Sequence, residues 1–194
     1  MDPPTSIPER APHNRHRAIR AMYTTNTITV YQAYSPEIAE PALQAQTFVA
    51  LFNRNRMTWI KPSFLWMAYR SGWASKPQQE RVLAIEITIK GFEWALRHAC
   101  LSHDDNNKNN SQDKQGWQQR LRSSPVRVQW DPGRDLLMRP LGTRAIQIGL
   151  SGEATMKTAA KYVEEGDLIA AEECLPEERV YELSPELREI LQAM

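Results

Sequence analysis

Cysteine is scarce in this chain: Cys100 and Cys174 are the only two among 194 residues. Two thiols cannot staple a fold of this length, so the sequence is expected to bury one substantial apolar core and to sit in a reducing, intracellular compartment. A long hydrophobic run is also missing. The longest apolar stretches, such as Phe64 to Tyr69, fall far short of the ~20 residues that span a bilayer, which argues for a soluble protein without a membrane role. Residues 1–17 are polar, hold four prolines and carry no apolar signal region. They read as a disordered leader, with order beginning near Ala18. The cytoplasm is the expected location, the nucleus staying open, and nothing in the sequence fixes an oligomeric state.

Net charge is nearly absent too. Lys+Arg 24 against Asp+Glu 23 leaves +1, which is not the broad positive field of a protein that coats nucleic acid. The distribution is uneven, however. Residues 1–80 carry 9 basic and 5 acidic side chains, residues 81–150 carry 11 and 7, and residues 151–194 carry 4 and 11. A positive body attracts phosphates or acidic groups, while the acidic end either solvates itself, the ordinary reading, or competes for the same surface.

Several catalytic signatures are missing. Neither Ser63 nor Ser71 sits in a Gly-x-Ser-x-Gly elbow, and helix capping accounts for Ser35, Ser151 and Ser184. Gly149-Leu150-Ser151-Gly152 follows a strand and precedes a helix, where free N–H groups could hold a phosphate, but it lacks the dinucleotide fingerprint and the Walker lysine, so a plain cap is the simpler reading. His98, Cys100, His103, Asp104 and Asp105 carry metal-capable atoms. His98 and Cys100 would nevertheless point to different sides of a helix and no partner pair recurs, so no metal is expected.

Aromatic and basic residues are what the chain concentrates. Met57 through Trp73 packs Trp59, Trp66, Trp73, Tyr69, Lys61 and Arg70 around Pro62. Such a segment can pack a core on one side and stack a flat ligand on the other.

The pattern along the chain alternates. Thr27 to Tyr34 reads as a strand, and Ser35-Pro36-Glu37 opens a helix carrying Ile38, Ala42, Ala45, Val49 and Phe52, bent at Pro41. Pro62 begins a second helix through about Arg70, closed by Gly72. Val82 to Ile89 reads as a strand, followed by a helical stripe of Phe92, Ala95, Leu96 and Ala99 and by a polar loop over 103–116. Val126 to Trp130 and Ala145 to Leu150 are strands separated by the turn Asp131-Pro132-Gly133. A helix over Glu153 to Glu164 and a short one after Ser184-Pro185-Glu186 complete the reading. The expected class is α+β: one mixed domain over 18–194 with a largely antiparallel sheet, packed helices and an acidic C-terminal segment.

Basic groups precede and enter the tryptophan run: Arg15, Arg17, Arg20, Arg54, Arg56, Lys61 and Arg70. Strand alternation leaves Arg127, Gln129 and Asp131 opposite Val126, Val128 and Trp130, and Gln147 opposite Ile146 and Ile148. Guanidinium forks match phosphate oxygens, and amides can read a base edge or a ribose hydroxyl. The plainer alternative is that these polar groups face water and the tryptophans are core.

Ile19-Arg20-Ala21, Thr29-Val30-Tyr31-Gln32-Ala33-Tyr34, Met57 through Trp73, Val82-Leu83-Ala84-Ile85, Val128-Gln129-Trp130-Asp131-Pro132 and Ile146-Gln147-Ile148-Gly149-Leu150 together resemble the domain of unknown function 4291 family, from about Ala18 to about Val163. Gly133 and Ala145 depart from the glutamate and serine usual there. Such domains look similar to ADP-ribosyltransferases, which implies a split antiparallel sheet gripping NAD and ADP-ribose transfer to protein or nucleic acid. Under that resemblance Arg20 and Arg56 would hold the pyrophosphate, with Lys61 and Arg70 completing the basic wall. Tyr31, Tyr34 or Tyr69 would stack on nicotinamide, and Gln147 or Glu86 would bond a ribose hydroxyl or orient the acceptor. The alternatives are a noncatalytic module for RNA or single-stranded DNA using the same residues, or a structural protein whose tryptophans are core alone.

Overall fold

The computed structural model describes residues 17–103, 111–151, 162–164 and 176–194. Strands β2 (Thr27–Tyr34) and β4 (Arg81–Thr88) pair antiparallel over their whole length, and β8 (Tyr162–Glu164) adds to the other edge of β4. A second sheet runs β3 (Thr58–Ile60), β7 (Pro140–Leu150), β6 (Val126–Arg134) and β5 (Ala99–Leu101), antiparallel except for the parallel β5–β6 pair. The two sheets meet at one bridge: the Tyr31 N–H donates to the Lys61 carbonyl at 2.8 Å and the Lys61 N–H to the Tyr31 carbonyl at 3.1 Å. β1 (Arg20–Ala21) pairs with β9 (Arg179–Val180), which ties the two ends of the described chain together.

Alternation decides what each face buries. Ile28 and Val30 of β2, Leu83, Ile85 and Ile87 of β4, and Val126, Val128, Ile146 and Ile148 of the second sheet enter one core. Phe92 and Leu96 of α3 (Ile89–Arg97) and Leu187 and Leu191 of α5 (Pro185–Ala193) cover it, each large side chain contributing roughly 1.5–3 kcal/mol by leaving water. The opposite face carries Tyr31, Val82 and Ala84, which pack beneath Phe64, Met67 and Ala68 of α2 (Phe64–Ser71). The fold is α+β, with helices on both faces of mostly antiparallel sheets. Among the described residues no helix is long and apolar enough to cross a membrane.

The second helix begins at Phe64 rather than at the expected Pro62 and closes at Gly72 as expected. The Ser63 hydroxyl accepts from the Trp66 N–H, and Gly72 closes the helix at φ 61°, a left-handed conformation that a side chain would strain. Elsewhere the expected boundaries move, for local reasons. The first helix, α1 (Pro36–Ala45), stops at left-handed Gln46, so Val49 and Phe52 lie beyond it; Phe52 stacks instead on Phe48 with centroids 3.9 Å apart. The strand expected through Ile89 ends at Thr88, whose hydroxyl caps the Gly91 N–H at 3.1 Å and starts α3. That helix ends at Arg97. Ala99 and Cys100 belong to β5, so His98 and Cys100 do not share a helix. The loop expected over 103–116 gives way to α4 (Ser111–Ser123).

The turn expected at Asp131-Pro132-Gly133 is a correction with consequences. β6 continues to Arg134 across a bulge between Pro132 and Arg134, where the missing proline N–H is tolerated. The chain reverses instead at Asp135, whose carboxylate accepts the Leu137 N–H at 3.0 Å and the Arg139 N–H at 2.9 Å. Of the helix expected over Glu153 to Glu164, Tyr162–Glu164 is strand and the rest lies outside the described residues. The expected leader also lies outside them, apart from Arg17, which bridges to Arg144.

Candidate functional site

Beyond the bulge the β6–β7 hairpin projects past the core, and its extension forms one wall of a cleft of about 1570 Å³. The β1–β9 pair and α5 form the other walls. Trp130, Ile19, Ile146 and Leu191 supply apolar lining, and Leu136, Leu137 and Leu141 stand on the hairpin end. Six arginines line it: Arg17, Arg20, Arg134, Arg139, Arg144 and Arg188. Asp135 and Glu178 are the acidic lining residues.

These arginines are held by backbone carbonyls rather than by carboxylates. Arg17 donates to Leu191 O at 3.4 Å, Arg20 to Glu178 O at 2.9 Å, Arg134 to Met138 O at 3.1 Å, Arg144 to Trp130 O at 3.0 Å and Arg188 to Leu183 O at 3.5 Å. Arg139 differs, pairing with Asp135 at 2.7 Å. Among the described residues no ion pair engages the other five. A guanidinium has five N–H donors in a planar fork, so one carbonyl positions it and leaves most of its donors for something else. Aromatic faces add restraint: Arg134 lies 3.7 Å from the Tyr69 centroid, and Arg17 lies 5.8 Å from that of Trp130.

Glu178 enters from the acidic end of the chain. Its carboxylate accepts the N–H of Phe64, the first residue of α2, where the helix dipole favours negative charge. Ser63 lines the cleft beside it. Gly133 and Ala145, the two departures from the family pattern, line the same cleft. A β-carbon on Gly133 would come 3.1 Å from the Thr143 carbonyl oxygen, so the bulge packs closely enough to favour glycine.

A different polar group lies on the face of the second sheet opposite its core. The register sets Gln129 opposite Gln147 and Asp131 opposite Ala145. Gln129 Nε2 donates to Asp131 Oδ1 at 2.8 Å and Gln147 Nε2 to Asp131 Oδ2 at 2.7 Å, while Ser102 Oγ donates to Gln129 Oε1 at 3.3 Å. Lys61 is only 5% exposed and donates to Trp59 O at 3.2 Å. Burial pulls its pKa down to about 8, the neighbouring Arg70 charge adds to the shift, and Asp131 opposes it.

The residues expected to form one site are thus divided. Arg20 lines the cleft. Lys61 has Arg70 and Asp131 as its charged neighbours, Gln147 bonds Asp131, and Tyr69 marks the boundary by carrying Arg134. Tyr31 is fully buried, edge-on to Phe64 with centroids 5.4 Å apart, so its ring is closed to a nicotinamide. Tyr34 bonds Thr58 at 2.9 Å and packs on Phe48 and Phe52; burial pushes its hydroxyl up to about 12. Arg56 is exposed and close enough to Tyr34 to oppose that shift. Glu86 is half-buried on β4 opposite Thr29, with β2 and β3 between it and Gln147. Sequence reasoning missed Arg134, Arg139, Arg144, Arg188 and Glu178. The spacing of 134, 139 and 144 about one reversal was the signal for three of them.

A family model for a domain of unknown function, DUF4291, matches residues 18–171. The chain belongs to that family. No curated protein matches it. The DUF4291 match contains the hairpin arginines, Arg20 and the Lys61–Asp131 cluster, whereas Glu178 and Arg188 lie beyond it. Among the described residues no three His, Cys, Asp or Glu side chains group as a metal site would require.

Proposed function

We propose that this DUF4291 protein binds a phosphorylated ligand of the nucleotide class in the arginine cleft, with NAD as the leading candidate. The observation that carries the reading is the set of five arginines around an apolar floor, fixed by carbonyls and engaged by no carboxylate among the described residues. Positive charge gathered with no acidic partner among the described residues favours the arrival of an anion. The lining fits a dinucleotide in kind, with donors for a pyrophosphate and leucine surface for its rings. NAD would bring an ADP-ribosyl group that departs from nicotinamide, the transfer to protein or nucleic acid that the family resemblance implies. Neither Gln147 nor Glu86 lines the cleft, so the ribose-holding role that the resemblance implies for them does not carry over to this site.

Titration calorimetry tests this directly. NAD should bind, and Arg20→Ala should weaken it about tenfold, the loss of one charge-assisted contact. Absence of heat with NAD, NADP, ADP-ribose and ATP alike would remove the proposal.

The cleft volume favours a second reading. About 1570 Å³ exceeds the roughly 300–1,000 Å³ usual for a small-ligand pocket, which suits a strand of RNA or single-stranded DNA passing through. Salt separates the two: an oligonucleotide should lose affinity with a logarithmic slope of about −0.7 per phosphate neutralised, whereas a dinucleotide should respond far less.

A further inference from the structure

Arg144 and Arg17 face each other across an isolated parallel bridge of the backbone, and both line the cleft. Their anchors lie on different elements. Arg144 is fixed by the carbonyl of Trp130 on β6, Arg17 by the carbonyl of Leu191 on α5, and Arg17 also lies over the Trp130 ring. Like charges directly across from one another repel, and among the described residues no ion pair relieves either. Trp130 adds a third donor: the side chain is 7% exposed, and its indole N–H is buried with no acceptor among the described residues. Two guanidiniums that each spend one N–H on a carbonyl, beside a buried indole N–H with no acceptor among the described residues, complement a ligand that is rich in acceptors and negative.

Resting on the nucleotide reading above, we infer that Arg17, Arg144 and Trp130 form the phosphoryl subsite of the cleft, the place where the ligand's pyrophosphate is held. Two forks from different elements match a tetrahedral phosphoryl group better than a flat carboxylate, because their donors reach it along separate directions. The Trp130 ring, over which Arg17 lies, borders the same place. The rest of the cleft, from Arg20 and Glu178 to the leucines of the hairpin end, then takes the sugar and ring portions of the ligand.

The probe is inorganic pyrophosphate added to the full chain, followed by calorimetry and by the indole region of the ¹H–¹⁵N spectrum. The Trp130 signal is identified by its loss in Trp130→Phe. Pyrophosphate should bind and shift that signal, Arg144→Gln and Arg17→Gln should each raise its Kd roughly 10- to 100-fold, and Arg144→Lys should recover part of the loss. Arg188→Gln, in the same cleft, should change it less than about threefold. The subsite is wrong if pyrophosphate binds Arg17→Gln and Arg144→Gln as it binds the unmodified chain, or if the Trp130 signal stays still at saturation. The indole readout needs the unmodified protein and Trp130→Phe but no arginine variant, so a poorly folding arginine variant does not block the test. NAD binding that Arg20→Ala weakens and Arg144→Gln leaves intact would sink the subsite and spare the cleft, whereas no binding of either ligand would sink both.

Discussion

The cleft and the strip beneath α2 each collect cationic and polar side chains on the same pair of strands, and they treat charge in opposite ways. In the strip, both oxygens of Asp131 are taken by glutamine amides and the carboxylate faces a buried lysine, so the group is internally compensated. In the cleft, five arginines are positioned by carbonyls and meet no ion-pair partner among the described residues, a state that water tolerates because the site is open. Buried polar groups must be satisfied from within the fold, whereas exposed ones can wait for a partner. The comparison therefore assigns the strip chiefly to stability and the cleft to recognition.

Four measurements bear on that division. Asp131→Ala removes the acceptor of two amides and the charge facing Lys61, so it should lower stability by about 3 kcal/mol in urea unfolding. A loss below about 0.5 kcal/mol would break the contrast from the structural side. Lys61→Met tests the same strip through pH. Because the folded pKa of Lys61 is depressed to about 8, the unfolded chain binds more protons above that value, and stability should rise with pH from about 8 towards 10.5. The slope is at most about 1.4 kcal/mol per pH unit, and it should vanish in the variant, which should also be the more stable protein at neutral pH. Tyr34, pushed up to about 12, acts in the opposite direction only above pH 10, and the Cys100 thiol, which burial pushes up, opposes the rise at lower pH, so the difference between the two proteins is the readout.

Cleft variants should show the reverse behaviour. Arg20→Ala and Arg144→Gln should leave the urea midpoint within what about 0.5 kcal/mol would produce, while costing about tenfold in ligand affinity. Equal losses of stability and affinity would mean that the cleft arginines are structural. The smallest effect belongs to Tyr34→Phe, expected to cost about 1 kcal/mol through one lost hydrogen bond to Thr58 and to leave binding untouched.

What was legible in the sequence was local. The alternation of Thr27 to Tyr34 gave β2 its bounds, and Gly72 marked the end of α2, because capping and periodicity act within a few residues. The reversal of the β6–β7 hairpin was hidden because Asp131-Pro132-Gly133 has the composition of a turn, while the register carries it as a bulged strand and Asp135 makes the turn four residues later. That displacement is what sends Arg134, Arg139 and Arg144 to one surface. The convergence expected of Arg20, Tyr31, Arg56, Lys61, Arg70 and Gln147 did not occur, since their meeting depended on how two sheets are joined, which no short-range signal encodes. The arrival of Glu178 and Arg188 in the cleft was equally remote, a matter of the chain's far end returning to its beginning.

The β1–β9 pairing has a practical corollary for anyone dividing this polypeptide. A fragment cut at residue 171, the limit of the family match, would forfeit β9 and α5, and with them Tyr181, Leu187 and Leu191 from the interior. Ile19, Phe92 and Leu96 would then be laid bare, and a truncated product should clump rather than behave as a minimal unit. The border inherited from shared ancestry and the border of autonomous folding do not coincide here.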